Sequence, residues 1–109
     1  MLNERPIPEA ALRDKSAIEM LRVWIAEKKL HCSMKIGMYR EGMNMSEEKA
    51  WGTILADITR HIANAMEATY GEDKLSTIRA VKAAYLQELG QPTSDATGEF
   101  VEGDKKIEH

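Results

Sequence analysis

Apolar residues recur at helical spacing between Ser46 and Gly71, and this run constrains the fold of the chain more than any other feature. The i, i+3, i+4, i+7 pattern continues for about five turns, which predicts one long amphipathic helix. Ser46 can cap its first turn, and Gly71 stands where a left-handed residue ends a helix. The apolar stripe consists of Trp51, Ile54, Leu55, Ile58, Ile62, Ala65, Met66 and Thr69.

A second helix is predicted almost immediately afterwards. It opens at Glu72 and Asp73 and runs to Leu89, and Gly90 and Pro92 end it. The link between the two helices is so short that they must form a helical hairpin or a sharply bent pair.

Two strands are predicted ahead of the helices, over residues 17–26 and 30–36. The first run is rich in residues that favour strands, and the second alternates apolar and polar residues. The connection contains no Gly or Asn to supply the positive φ of a tight two-residue turn. We therefore expect a four-residue loop, Glu27–Leu30, with Ala26 paired to His31.

In this register, apolar residues of both strands share one face of the hairpin. The opposite face carries Ile18, Met20 and Trp24, which is too apolar for a freely solvated surface, and an isolated hairpin is marginal in water. A second copy is the simplest cover. We therefore expect an α+β fold in the order β-β-α-α that is dimeric through the sheet, with these three residues at the interface.

Length and charge divide the chain into two parts. Residues 1–92 suffice for a single small α+β domain. Residues 93–109 are polar and are expected to form a disordered acidic tail. Residues 1–94 contain thirteen acidic and thirteen Lys or Arg residues, so the whole formal net charge of −3 lies after residue 94.

Charge and hydropathy exclude several classes of partner. A neutral folded part lacks the basic face that nucleic-acid binders and electrostatic membrane binders need. No apolar run approaches the ~20 residues of a membrane helix, and the first residues lack the apolar stretch of a signal peptide, so we expect a cytoplasmic protein. The single cysteine, Cys32, excludes an internal disulfide. No spacing indicates a metal site, and no cofactor is expected.

The best polar group consists of Asp57, Arg60, His61 and Asn64. The candidates for catalysis are Asp57, His61 and Asn64, which share one edge of the long helix beside the apolar stripe, while Arg60 lies further round toward solvent. An Asp four residues before a His can orient the imidazole for acid–base chemistry. The same spacing is common on helix flanks that do no chemistry, so no catalytic residue is assigned and a non-enzyme is favoured. His31 and Cys32 are adjacent in a strand and point to opposite faces, which excludes a thiolate–imidazole pair.

Three stretches resemble a known family: EMLRVWIAEKKL before His31, WGTILADITRHIANA from Trp51 to Ala65, and the RPIPEAA opening. Together they are similar to an uncharacterised family of short bacterial proteins, catalogued as a domain of unknown function, over roughly residues 4–90. The resemblance implies a compact bacterial domain. It brings no activity, cofactor or site residue with it.

We therefore expect a small cytoplasmic binding or regulatory module that acts as a homodimer. Besides a second copy of itself, its partner would be an unidentified protein or a small molecule. The alternative is a small enzyme with an acid–base site around Asp57, His61 and Asn64.

Overall fold

The computed structural model describes residues 1–93, 97–102 and 105–108. Its elements in chain order are α1 (Glu9–Arg13), β1 (Leu21–Ala26), β2 (Lys29–Ile36), a π-helical turn (Met38–Gly42), α2 (Glu47–Tyr70), α3 (Lys74–Gly90), β3 (Thr97–Glu102) and β4 (Lys105–Glu108). An antiparallel hairpin followed by helices is the α+β arrangement that the sequence predicts, and this fold class is confirmed.

Both long helices form where apolar spacing and cap residues predict them. The Ser46 hydroxyl accepts a hydrogen bond from the Lys49 amide at 3.1 Å, and Gly71 ends α2 with a φ of 70°. The Asp73 carboxylate caps α3 by accepting from the Ser76 amide at 2.9 Å. These side chains satisfy amides that the first turn of a helix leaves without an intrahelical partner.

The turn of the β-hairpin differs from the predicted one. Only Glu27 and Lys28 join the strands, and Ala26 pairs with Lys29 instead of His31. Both turn residues have positive φ, 53° and 64°, which a type I′ turn requires. The prediction of a four-residue loop was therefore wrong. The twist of a type I′ turn matches the twist of the two strands, and this match outweighs the cost of left-handed backbone at Glu27 and Lys28.

The pairing register moves by two residues, so every side chain keeps its predicted face. Val23 lies opposite Cys32 and Leu21 lies opposite Met34, so apolar residues still meet across the strands. Trp24 lies opposite His31 on the other face.

Two strands extend the hairpin into a four-stranded sheet in the order β1-β2-β3-β4. β3 runs parallel to β2, with Gly98 opposite Cys32, and β4 runs antiparallel to β3. Both lie within residues 93–109, for which composition predicted disorder, while residues 94–96, 103, 104 and 109 lie outside the described residues. Pairing with β3 satisfies backbone groups that would otherwise line a free edge of β2, and side-chain polarity does not prevent this. The division into a domain over 1–92 and a tail stays a prediction.

Few side chains are buried in the described part of the chain. Ala63, 1% exposed, is the one buried apolar side chain there, and Glu47, 7% exposed, is the one buried polar side chain. The chain exposes 9319 Å², whereas a compact protein of 12.3 kDa exposes about 6,100 Å². Its radius of gyration is 15.8 Å, against about 13 Å for a compact chain of this length. The single chain is therefore more open than a closed domain.

The firmest link between α2 and the preceding part of the chain is its contact with the π-helical turn, while α2 and α3 pack along each other. Among the described residues, no helix combines the length and hydropathy that a membrane crossing requires.

Candidate functional site

A groove of about 650 Å³ lies between the N-terminal segment and β1. Residues 3–8 line it together with residues of α1, the following loop and β1. Much of its lining is apolar: Pro6, Ile7, Pro8, Leu12, Ile18, Leu21, Val23 and Trp24. Ligand sites in proteins usually have volumes of ~300–1,000 Å³ and mostly apolar walls, so this groove has the dimensions of a binding site.

Arg22 ties the two walls of the groove together. Its Nε and Nη2 donate to the two carboxylate oxygens of Glu19 at 3.2 and 3.0 Å, and its Nη1 donates to Glu4 at 3.4 Å. The hydrogen bond and the charge of Glu19 raise the pKa of Arg22 above its usual value, and the charge of Glu4 adds to the effect. These ion pairs are partly exposed and add little stability. Their effect is positional, because Glu4 belongs to the N-terminal segment and Arg22 to β1.

β1 is an outer strand, and one of its edges is unpaired among the described residues. The Lys35 amide of β2 donates to the carbonyl of Met20, just before β1, at 3.0 Å. Since hydrogen-bonded pairs alternate along an antiparallel ladder, the even-numbered residues of β1 also direct their backbone groups toward β2. The intervening residues, Leu21, Val23 and Ile25, direct theirs toward the open edge. That edge can accept a strand from another chain.

The predicted interface residues lie at or beside this groove. Ile18 and Trp24 line it, and Met20 is half-buried directly before β1. The N-terminal segment lines the same groove, so part of the cover expected from a second copy comes from the same chain. Dimerisation through this face stays a prediction.

The predicted catalytic candidates do not form a site with one another. The Asp57 carboxylate pairs with the Arg60 guanidinium one turn away, and no hydrogen bond joins it to His61 in the described structure. His61 and Asn64 are exposed, and none of the three candidates lines the groove. This arrangement matches an ordinary helix flank.

Glu47 occupies a position that sequence reasoning missed. Its carboxylate accepts hydrogen bonds from the backbone amides of Gly37, Tyr39 and Arg40 at 3.0, 3.1 and 3.1 Å. It also accepts one from Trp51 Nε1 at 2.9 Å. The bond from the Gly37 amide is the main cause of a lowered Glu47 pKa, and burial opposes it. One carboxylate thus joins the end of β2, the π-helical turn and α2.

The sequence holds little signal for this role. Glu47 and Glu48 are adjacent acids in the first turn of a helix, where either one favours the helix dipole. Only the spacing of Glu47 to Trp51, one helical turn, distinguishes it, because this spacing lets a carboxylate reach an indole N–H.

His31 and Cys32 point to opposite faces, as predicted for adjacent strand residues. The Nε2 atom of His31 is buried and has no hydrogen-bond partner in the described part of the chain. Cys32 is a free, half-buried thiol. Over the described residues, no three His, Cys, Asp or Glu side chains gather into a group that could hold a metal ion.

These features define a small α+β domain with an apolar groove beside an open sheet edge. The chain belongs to the family described as domain of unknown function (DUF5076), which matches residues 4–93. The resemblance to an uncharacterised family is thereby confirmed. No curated protein matches the chain at a significant level.

Among solved structures, the chain is similar to a protein from the photosynthetic bacterium Rhodopseudomonas palustrus CGA009, provisionally described as a pyruvate dehydrogenase. The two are 23% identical, and the likeness covers 89% of this chain and 93% of the other, with a TM-score of 0.65. Similarity at this level establishes a shared fold.

Proposed function

We propose that this protein is a small cytoplasmic binding module that acts as a homodimer and captures an extended segment of a partner protein along β1. The observation that carries this proposal is the juxtaposition of an unpaired strand edge with an apolar groove.

An extended peptide suits this surface better than a compact ligand. Backbone groups of Leu21, Val23 and Ile25 point to the open edge, where a peptide strand can pair with them. Alternate side chains of an added strand point to opposite faces of the sheet. One set can then enter the groove, whose lining includes Leu21 and Val23.

The charges around the groove favour an apolar peptide. The lining carries two carboxylates, Glu4 and Glu19, and two guanidinium groups, Arg5 and Arg22, so its formal charges cancel. Arg22 is engaged by both carboxylates, and Arg5 donates to Asn3. The remaining lining is mainly proline, aliphatic side chains and Trp24. Affinity would then come from main-chain pairing and apolar burial, and would depend little on salt.

A displayed library of random peptides, selected on the full chain, supplies the probe. A selected synthetic peptide should slow hydrogen exchange at the amides of Leu21, Val23 and Ile25 and leave Arg22 and Trp24 unchanged. Selection of no peptide, or protection confined to residues outside β1 and the groove, would overturn the proposal.

Two variants of Val23 separate main-chain pairing from side-chain contact. Val23→Pro removes an amide that points to the open edge, and an edge position tolerates proline. Val23→Ala keeps the amide and removes part of the groove wall. We expect Val23→Pro to abolish binding and Val23→Ala to weaken it several-fold; the reverse order would contradict main-chain pairing.

The homodimer is supported by the open surface of the single chain. Its exposed area exceeds that of a compact protein of the same mass by about 3,200 Å². A standard interface takes about 800 Å² from each partner. Sedimentation at tens of micromolar should give about twice 12.3 kDa, and a chain that stays monomeric would contradict this part of the proposal.

The alternative of a small enzyme around Asp57, His61 and Asn64 is not favoured by any specific observation. The Asp57–Arg60 pair leaves His61 without the carboxylate that was to orient it.

A further inference from the structure

The centre of the apolar stripe on α2 is uncovered in the single chain. Leu55, Ile58 and Ile62 are 40%, 39% and 41% exposed, although they lie in the middle of the stripe. Ala63 is fully buried. Successive helical residues differ by about 100° around the axis, so Ala63 marks a contact well to one side of Ile62.

α3 covers the side of α2 near Ala63 and not the centre of the stripe. α2 and α3 pack along each other, and the half-buried residues of α3 are Thr77, Ile78 and Val81. On α2, Thr59 and Met66 are half-buried on the same side as Ala63. Met66 belongs to the apolar stripe, so α3 covers one edge of the stripe and leaves its centre around Ile58 uncovered.

No charged side chain interrupts the open stripe. Asp57 lies on the edge of α2 beside the stripe and Arg60 lies further round toward solvent, and the two side chains pair with each other. The stripe residues around Ile58 are all uncharged. A partner that covers this face therefore need not bury an ionised group, which would be costly.

We infer that α2 of a second copy covers this stripe, antiparallel to the first, so that two α2–α3 hairpins form a four-helix bundle. The inference rests on the homodimer proposed above and names its contact. A two-fold contact requires a patch that fits itself. α2 runs from Glu47 to Tyr70, so its midpoint falls between Ile58 and Thr59, at the centre of the open stripe.

A two-fold axis at this midpoint brings the apolar residues into register. Leu55 then lies against Ile62 of the partner subunit, and Trp51 lies at the level of the partner subunit's Met66. Antiparallel helices with small crossing angles pack in this way in four-helix bundles. The whole chain exposes about 3,200 Å² more than a compact protein of its mass, and the uncovered stripe contributes to this excess; one partner of a standard interface contributes about 800 Å².

Sedimentation of two matched charge variants tests this contact. Ile58→Glu places a carboxylate at the centre of the stripe, whereas Thr53→Glu places the same group on the exposed far side of α2. The wild type and Thr53→Glu should sediment as dimers, and Ile58→Glu should fall to about 12.3 kDa with unchanged helical content.

The other outcomes separate this inference from the homodimer itself. A monomeric wild type overturns both. A dimeric wild type whose Ile58→Glu variant stays dimeric, while Trp24→Glu becomes monomeric, overturns the helical contact and supports the predicted dimer through the sheet.

Cysteine cross-linking keeps the inference testable if Ile58→Glu fails to fold. In a Cys32→Ser background, the Leu55→Cys/Ile62→Cys double variant should give a covalent dimer on oxidation. Positions 55 and 62 of one helix are about 10 Å apart, beyond the reach of a disulfide, so the bond must join two chains. Each single variant should cross-link far less; equal cross-linking by a single variant, or none by the double, would contradict the antiparallel register.

Discussion

The Glu47 carboxylate accepts a hydrogen bond from the Gly37 amide at 3.0 Å, and this bond joins the end of β2 to the first turn of α2. Gly37 itself has a φ of 101°, which turns the chain out of the strand into the π-helical turn. The Glu47 carboxylate and the left-handed Gly37 thus link α2 to the end of β2.

Glu47→Ala should lower the Tm by several degrees. The substitution leaves three backbone amides and the Trp51 indole N–H without their acceptor in a largely buried site. Glu48→Ala is the matched control: Glu48 also pairs with Arg40 of the π-helical turn, but this pair is exposed and its loss should change the Tm by no more than a degree or two. Equal effects of the two variants would show that Glu47 has no special anchoring role.

The contribution of Glu47 should depend on pH. Its pKa lies below the ordinary 4.5 because backbone amides, that of Gly37 foremost, stabilise the charged form. A carboxylate with a lowered folded-state pKa stabilises the fold above its unfolded pKa and loses that effect as pH falls through the folded value. Chemical unfolding of wild type and Glu47→Gln should therefore differ most above pH 4.5 and converge below it. A difference that is constant from pH 6 to 3 would contradict the assignment.

Gly37→Ala should destabilise the protein by about 1–2 kcal/mol, because φ is 101° and an L-residue avoids left-handed backbone. The added Cβ would also meet the Glu41 carboxylate. Gly52→Ala is the control. It lies inside α2 where a Cβ meets nothing within 4 Å, and it should stabilise by about 0.5–1 kcal/mol. Urea unfolding should give a lower free energy of unfolding for Gly37→Ala and a higher one for Gly52→Ala. A higher value for Gly37→Ala would contradict a strained backbone at this turn.

Replacement of Glu27-Lys28 by Asn-Gly should stabilise the hairpin by about 1 kcal/mol, since both positions have positive φ and this pair suits a type I′ turn. Lys29→Gly tests the position of the turn, because Lys29 pairs with Ala26 in the ladder and a strand glycine weakens pairing. If Lys29→Gly raised the Tm more than the Asn-Gly replacement did, the four-residue loop would be favoured instead.

Gly98→Ala should displace β3 from β2. The added Cβ at position 98 would overlap the Cys32 carbonyl oxygen, and the Cys32 backbone cannot easily move away because it belongs to the sheet. Hydrogen exchange should accelerate at the Cys32 and Met34 amides, which point toward β3, and not at Ser33, which pairs with Arg22 in β1. Gly42→Ala, with open space around the added Cβ, is the control. Unchanged exchange at Cys32 would favour the disordered tail that composition predicts.

Part of the groove was foreseeable and part was not. The apolar face with Ile18 and Trp24 stands out from strand alternation, because a freely solvated face would not carry such residues. The pairing of Arg22 with Glu4 links residues far apart in the chain, and no spacing rule predicts it. Asp57 and His61 have the spacing that would let the carboxylate orient the imidazole, but the Asp57 carboxylate pairs with the Arg60 guanidinium instead.

The sequence by itself determined the elements whose causes are local. The ends of α2 follow from Ser46 and Gly71, and the faces of the hairpin follow from alternation, because caps and periodicities act over a few residues. Tertiary structure decided the choice of Glu47 over Glu48, the pairing of β3 with β2, and the position of α3 beside the α2 stripe. Each of these depends on groups brought together from distant parts of the chain, whose local sequences are compatible with several arrangements.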